Sequence, residues 1–389
     1  MHEVVIAGIG QTRVGEHWEM SIRELAGTAI EAVLKDAPGI QPEALYVGNM
    51  LAATLSRQSQ LGSLIADYAG LENVEATTVE AGGASGAMAL RVAYLAVASG
   101  AIEAALVLGV EKLSDQLPGE TEAAFATNLD ADFEAVHGLT MTAQAAMLMR
   151  RYLHEYDVPQ DGFAGFAVNA HANGAGNPNA MFQRAIKPET YARAGMVAEP
   201  LNMFDVAPPA DGAAALLLTR PDLLPDDFEH SPVYIGGSSV VTDKLALHNR
   251  ENPLNLEAAR LSVERACAQA DIQPKDADLF ELFDAYSIYS ALSLEAAGLA
   301  EAGQGWQLAQ NGGIGIDGEL PVTTFGGLKA RGNPGGATGV YQAIEATLQL
   351  RHKAGDNQVP GAKTALIQSL GGPGSTAITH VLQSYPSDA

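Results

Sequence analysis

Few residues in this sequence have side chains suited to nucleophilic or metal chemistry. The single cysteine, Cys267, lies in the helix-like stretch Glu264-Arg265-Ala266-Cys267, where a thiol usually behaves as a small apolar group. One cysteine can form neither an intrachain disulfide nor a cysteine-built metal cluster. The nine histidines are scattered without the spacing of metal ligands. We therefore expect a structural role for Cys267 and no metal site in this chain.

The common catalytic and phosphate-binding motifs are also missing. The sequence contains no Walker-type phosphate loop, HExxH helix, EF-hand loop or G-x-S-x-G elbow. Gly8-Ile9-Gly10 follows an apolar strand, but Arg13 occupies the third glycine position of the dinucleotide fingerprint. We interpret this stretch as a tight turn.

The composition is that of an acidic globular protein. Hydrophobic residues make up 47% of the 389 residues, and 46 acidic against 22 basic residues give a net charge of −24. Such a charge repels phosphate backbones and anionic membranes, which argues against nucleic-acid and lipid-surface partners. The chain starts with a strand-like stretch rather than a signal peptide, and no run of about 18 apolar residues predicts a membrane span. Together with the single cysteine, these features predict a cytoplasmic protein.

Strand-like and helix-like stretches alternate in the rhythm of a parallel sheet. The first half contains a strand at Val4–Ile9, a helix that opens with the capping-box pattern Ser21–Glu24, and a helix of small residues near 84–98. The second half repeats this order from about residue 233. Each half also has a five-residue Gly/Ala-rich stretch before a helix, at 82–86 and 335–339. Together these features predict an internal duplication.

Residues 115–200 differ from both halves, with acidic loops, a predicted helix from Met141 to Tyr156 and the polar stretch His171–Pro178. Loops of that length in a compact protein are usually lids or binding loops. We therefore divide the chain into an N-terminal half (1–114), an inserted loop domain (115–200), a return to the N-terminal half (201–228) and a C-terminal half (229–389).

Six stretches distributed over the whole chain carry a family resemblance. They are Ser63–Leu71, Ala96–Gly100, Gly109–Lys112, Asp205 with Pro208–Ala215, Gly326–Pro334, and Gly371–Ser375. Together they resemble thiolases, in particular the sterol-carrier-protein-type and archaeal acetyl-CoA acetyltransferase branches. The resemblance implies an α/β fold of two βαβαβαββ halves, layered α-β-α-β-α, with a loop domain over the substrate site. It also implies CoA thioester substrates, no covalently bound cofactor, and a homodimer as the smallest assembly.

The positions that carry the chemistry in thiolases are different here. Gly83 stands where the family has its nucleophilic cysteine, and Phe283 and Asn333 stand where it has two catalytic histidines. A glycine cannot hold an acyl group, and Cys267 lies outside these motifs. Because the surrounding glycines and prolines match the family, we interpret the changes as repurposing rather than decay.

Retro-aldol cleavage would fit the remaining groups, since it needs a base, an acid and donors to a thioester enolate but no covalent nucleophile. Tyr341 is the first candidate for acid or base, followed by Tyr286 and Tyr289, although each could be a packing residue. Asn333 could donate a hydrogen bond to the enolate. Further candidates are Asp284 for catalysis, and Ser85, Gly372 and Gly374 for oxyanion or substrate binding. For Ser85, a hydrogen bond at the start of a helix is the alternative.

This substitution pattern resembles the aldolases that shorten steroid side chains attached to CoA, which work with a zinc-ribbon/OB-fold partner protein. The resemblance implies a lyase for β-hydroxyacyl-CoA that forms a heterotetramer with such a partner. A non-catalytic CoA-binding or scaffold subunit and an acyltransferase with an unrecognised nucleophile are the alternatives. We expect CoA to contact the segment Thr242–Arg250 through Lys244, His248 and Arg250, unless this segment is a solvated loop.

Overall fold

Two successive runs of strands and helices build the structure, a computed structural model that describes residues 2–384. The first run contains β1 (Val5–Gln11), α1 (Ile22–Asp36), β2 (Ala44–Gly48), α2 (Leu61–Tyr68), β3 (Glu75–Val79), α3 (Ser85–Ser99) and β4 (Ala104–Glu111). A long connection follows, with α4 (Pro118–Phe125), α5 (Met141–Glu155), α6 (Ala164–Gly176), α7 (Pro188–Ala192), β5 (Met196–Ala198) and β6 (Leu201–Asn202). The chain then returns to the first run with β7 (Gly212–Thr219). The second run contains β8 (Val233–Thr242), α8 (Glu257–Gln269), β9 (Leu279–Glu281), α9 (Ser287–Ala296), α10 (Thr338–Leu350), β10 (Thr364–Gly371) and β11 (Thr376–Ser384).

Nine of these strands form one sheet in the order β3-β2-β4-β7-β1-β8-β11-β10-β9. Each run supplies one contiguous block, and the blocks join where Val5 and Ile6 pair with Tyr234 and Val233. The order β1-β7-β4-β2 in one block matches β8-β11-β10-β9 in the other, which confirms the predicted duplication. The counterpart of β3 in the second block is a single bridge between Phe280 and Val322.

Helices cover and separate the two blocks of strands. The central helices α3 and α10 pack against each other and against strands of both blocks, whereas α1 and α8 each pack against the strands of their own run. The result is the predicted α-β-α-β-α layering. The two central helices cross so closely that a Cβ on Gly339 would lie 2.4 Å from the backbone nitrogen of Ala87. This approach explains the small residues at the start of both helices.

Two local predictions have different outcomes. The capping box of α1 is confirmed, since the Ser21 hydroxyl accepts the N–H of Glu24 and the Glu24 carboxylate accepts the N–H of Ser21. The polar stretch 171–178, by contrast, is largely helical and lies in α6. Its small residues allow close packing, because a Cβ on Gly174 would lie 2.6 Å from the Cβ of Ala330.

The long connection leaves and re-enters the sheet at one place. Glu111 at the end of β4 is paired with Gly212 at the start of β7. Directly outside this pair, the buried Nζ of Lys112 lies 3.0 Å from Oδ2 of Asp211, and Oδ1 of the same carboxylate accepts the backbone N–H of Leu113. The segment 112–211 is therefore anchored at both ends by one buried ion pair.

The carboxylate of Glu111 joins the two runs at the point where this segment begins. It is buried and accepts hydrogen bonds from Nδ2 of Asn49 at 2.9 Å and from the backbone N–H groups of Met50, Leu51 and Gly336, each at 3.0 Å. Burial raises the pKa of Glu111 to about 7. One side chain thus fixes the loop after β2 against the turn that precedes α10.

The helices of residues 2–384 do not include one with the length and apolar character needed to cross a membrane.

We predict that Glu111→Gln lowers the free energy of unfolding by about 2 kcal/mol, because the amide would turn an N–H2 group toward two N–H donors. Glu31→Gln is the control, since Glu31 forms an exposed ion pair with Lys35 and exposed pairs contribute about 0–1 kcal/mol. Urea unfolding of both variants would measure the difference. Equal losses in the two variants would contradict the role assigned to Glu111.

Candidate active site

A cavity with about 650 Å³ of empty space lies between the start of α3, the turn before α10 and the connection 112–211. Six of the residues predicted from the sequence line it: Gly83, Phe283, Tyr286, Tyr289, Asn333 and Gly372. Lining residues from the connection include Glu122, Asn128, Met141 and Thr142. Among the described residues that line the cavity there is no cysteine, serine or histidine.

Phe283 fills the space that a side chain at position 83 would need. A Cβ on Gly83 would lie 2.7 Å from Cζ of Phe283 and 2.9 Å from the backbone oxygen of Leu370. Both distances are shorter than real Cβ contacts. The two positions therefore share one volume, because the phenyl ring where it lies and a side chain at position 83 cannot both be accommodated without a shift.

Two tyrosines on α9 form one wall of the cavity. Tyr286 precedes the first turn of the helix, and its backbone is held by a bridge to Val206. Its hydroxyl lies 3.1 Å from the hydroxyl of Thr142. Tyr289 is one turn further along, and the two rings meet edge to face with centroids 5.6 Å apart.

Burial raises the pKa of both Tyr286 and Tyr289 above the ordinary tyrosine value. Both phenols therefore stay protonated near neutral pH and are suited to donate protons rather than to accept them. The hydroxyl of Tyr289 has no hydrogen-bond partner among residues 2–384. A hydroxyl without a partner in the protein keeps its donor and acceptor capacity for a ligand that reaches it.

Behind Tyr289 lies the buried guanidinium of Arg250. Its Nε donates to the carbonyl of Lys244 and its Nη1 to the carbonyl of Pro373, each at 3.0 Å. Within the described chain its Nη2 has no partner. The charge of Arg250 lowers the pKa of Tyr289, but burial and the neighbouring Tyr286 raise it more, so the phenol remains the favoured form.

Asn333 and Gly372 offer hydrogen-bond donors to the cavity. The backbone of Asn333 is fixed by its N–H to the carbonyl of Pro208 and by its carbonyl to the N–H of Ala210. Its Oδ1 accepts the N–H of Gly335 at 3.1 Å, which directs Nδ2 away from that turn. Gly372 adopts a φ of +55°, a conformation that favours glycine.

Three predicted site residues face away from the cavity. The Ser85 hydroxyl donates to the carbonyl of Gly82 and accepts the N–H of Ala81, so it serves the start of α3. The Asp284 carboxylate is buried and accepts the N–H of Leu328 at 2.7 Å. Gly374 packs against Leu256 rather than lining the cavity.

Tyr341 also lies outside the cavity. It is fully buried in α10, and its hydroxyl lies 3.0 Å from the carbonyl of Ala213 and 3.1 Å from that of Thr12. The guanidinium of Arg331 stacks 5.1 Å from its ring centroid. The sequence made Tyr341 the first candidate for acid or base, whereas in the structure its hydroxyl ties α10 to β7 and to Thr12, directly after β1.

The segment predicted to contact CoA lies beside the cavity. Leu245 approaches Gly372, since a Cβ on that glycine would lie 3.3 Å from Cδ1 of Leu245. Lys244 and His248 are exposed, and the His248 ring lies 6.0 Å from that of Phe133. Arg250 was expected to contact CoA together with Lys244 and His248. Unlike those two side chains its guanidinium is buried, and it closes this loop through bonds to backbone carbonyls.

Cys267 lies in α8 and does not line the cavity. It packs in the core, and burial raises the pKa of its thiol to about 11. Because a thiol becomes nucleophilic as the thiolate, this environment fits the predicted structural role.

Sequence reasoning missed the side chains that the connection contributes. Glu122 and Phe125 are one turn apart on α4, and Thr142 is near the start of α5. No spacing pattern marks these residues, because their position depends on how the connection packs on the two sheet blocks. Only the presence of an inserted segment was visible in the sequence.

Comparisons with known proteins agree on one family. The model described as "Thiolase, N-terminal domain" matches residues 4–222, and "Thiolase C-terminal domain-like" matches residues 239–384. The chain is 39% identical over 383 residues to an acetyl-CoA acetyltransferase of Methanothermobacter thermautotrophicus, covering 98% of this chain and 99% of that protein.

Two solved structures are similar over the whole chain. An Ltp2-ChsH2(DUF35) aldolase aligns with a TM-score of 0.83 and 25% identity, covering 98% of both chains. Human mitochondrial 3-ketoacyl-CoA thiolase aligns with a TM-score of 0.76 and 16% identity, covering 99% of both chains. The second likeness concerns the fold alone.

We predict that Gly83→Ala destabilises the parent by about 1–3 kcal/mol, the usual cost of overpacking, and costs less in a Phe283→Ala background. A double-mutant cycle by urea unfolding measures this coupling. Gly119→Ala is the matched control, since a Cβ there meets nothing within 4 Å. Additive effects of the two cavity substitutions would contradict the proposed filling of position 83 by Phe283.

Proposed function

The chain belongs to the thiolase family, and on that premise we propose that it is a carbon–carbon lyase. It would cleave a β-hydroxyacyl-CoA by retro-aldol chemistry, releasing a ketone or aldehyde and a shorter acyl-CoA. One observation carries this proposal. At the family's nucleophile turn, Phe283 fills the place of a side chain at Gly83, and the cavity presents phenol hydroxyls, an amide and a carboxylate instead.

The comparisons support two parts of this proposal. The name of the archaeal relative supports a CoA thioester as the substrate. The aldolase with the same fold supports carbon–carbon cleavage. Neither relative's name specifies the acyl chain.

In the proposed reaction the bond between Cα and Cβ breaks and its electron pair moves to Cα, forming the thioester enolate. Nδ2 of Asn333 and the N–H of Gly372 would hold the enolate oxygen. Preorganised donors of this kind typically contribute about 3–4 kcal/mol each. Tyr289 would then protonate Cα, and the charge of Arg250 would partly offset the cost of burying the phenolate left behind.

We also propose the assembly and the CoA position expected from the sequence. The chain would form a homodimer and, with a zinc-ribbon/OB-fold protein, a heterotetramer. The name of the structurally similar aldolase contains a second component, ChsH2(DUF35), which supports a partner. The nucleotide of CoA would lie beside Lys244 and His248, which are exposed next to the cavity.

An acyltransferase is the second candidate, favoured by the 39% identity to an acetyltransferase. The one aliphatic hydroxyl lining the cavity in the described chain belongs to Thr142, and it is paired with Tyr286. Mass spectrometry after incubation with acetyl-CoA distinguishes the two functions. A trapped acetyl group on Thr142 would support transfer and contradict the lyase.

The lyase is tested with a panel of β-hydroxyacyl-CoA esters whose β-substituents increase in size, with and without a co-expressed zinc-ribbon/OB-fold protein. We expect equal amounts of a carbonyl compound, trapped as a hydrazone, and of the shortened acyl-CoA. CoA binding without cleavage under both conditions would instead identify a non-catalytic subunit.

We predict that Tyr289→Phe lowers kcat by about 10²–10⁴-fold, the usual contribution of a general acid, while the KM changes little. Tyr341→Phe is the comparison, because it removes a buried hydroxyl of the same chemistry outside the cavity. It should lower thermal stability and leave kcat at the parent value. A normal kcat for Tyr289→Phe would show that another group protonates Cα.

A further inference from the structure

The cavity contains one side chain that is anionic in its ordinary state near neutral pH, Glu122. No lysine, arginine or histidine of the described chain lines the same space. The other polar lining groups are the phenols, Thr142 and the amides of Asn128 and Asn333. Glu122 is therefore the natural proton acceptor in this cavity.

Helix α4 holds Glu122 toward the cavity. Thr121 and Ala124 are buried on the face that packs on the protein, while Glu120 and Ala123 are exposed on the opposite face. Glu122 and Phe125 are three residues apart, a spacing that puts side chains on one helical face, and both line the cavity.

The carboxylate of Glu122 is half-buried and takes part in no hydrogen bond or ion pair with residues 2–384. The carboxylates of Glu111 and Asp211, by contrast, are buried and fully bonded. The free oxygens of Glu122 are available to a ligand.

Tyr286 and Thr142, whose hydroxyls are bonded to each other, line the same cavity as Glu122. Burial raises the pKa of Tyr286, the hydrogen bond with Thr142 lowers it, and the negative charge of Glu122 raises it. Burial raises the pKa of Tyr289 as well. A carboxylate is therefore better suited than either phenol to take the proton that retro-aldol cleavage must remove.

We propose that Glu122 is the general base that removes the proton from the β-hydroxyl of the substrate. The O–H bond breaks toward Glu122, the C–O bond becomes a carbonyl, and the Cα–Cβ pair passes to the thioester enolate. Tyr289 gives its proton to Cα. Glu122 then loses its proton to solvent and the Tyr289 phenolate regains one, so the cycle consumes no net proton.

This inference rests on the proposed lyase function and deepens it. The test compares the parent, Glu122→Gln and the control Asp132→Asn in two assays. Asp132 belongs to the same connection, is exposed and does not line the cavity, so its substitution removes one negative charge without touching the site.

The first assay measures cleavage of the best ester of the β-hydroxyacyl-CoA panel. The second measures exchange of the α-hydrogens of acetyl-CoA with D2O at alkaline pH, where the ionised fraction of Tyr289 takes the proton from Cα and the enolate donors hold the enolate. This exchange needs no base on a β-hydroxyl.

We expect Glu122→Gln to lower the kcat of cleavage by about 10²–10⁴-fold and to exchange α-hydrogens at the parent rate. Asp132→Asn should match the parent in both assays. Cleavage by Glu122→Gln at the parent rate, or loss of exchange together with cleavage, would overturn the assignment of Glu122 as base. A parent that cleaves none of the esters would overturn the lyase function itself, and the two failures are thus distinguishable.

Discussion

The carboxylate of Glu111 is the contact on which the geometry of the cavity depends. It stands at the end of β4, where the long connection starts, and binds the loop after β2 and the turn before α10 at once. Since that turn also carries Asn333 and Gly335 into the cavity, the donor side of the site is built on a bond between the two halves of the chain. A buried carboxylate with four donors is sensitive to any change in either half, because an unpaired donor in the interior is costly.

The sequence predicted the fold in detail because its signals were local or repeated. The capping box at Ser21 and the paired glycine-rich stretches act within a few residues, and the family motifs around Gly83 and Asn333 marked the cavity. Tyr341 was misplaced because its position next to a motif does not determine its direction, and on α10 it points to the backbone of Thr12 and Ala213. Glu122 was missed because its location depends on long-range packing.

The altered residues of the cavity are physically consistent with one another. With the ring of Phe283 where it lies, a side chain at position 83 would force a shift of its neighbours, and the ring adds apolar surface to the cavity. An apolar, poorly hydrated wall strengthens the interactions of the phenols and the amide with a bound enolate, since electrostatic effects increase as water is excluded. The glycine at position 83 and the phenol and amide donors of the cavity are thus both compatible with the proposed reaction.

The long connection leaves the sheet at Glu111 and returns at Gly212, directly opposite on the neighbouring strand. The ion pair of Lys112 and Asp211 joins the two ends of this attachment, and contacts such as the bridge between Val206 and Tyr286 hold its body on the second run. The connection can change in length and composition while β4 and β7 keep their register. Substrate preference in this fold can therefore evolve through changes in the connection, while the duplicated sheet that supports it stays the same.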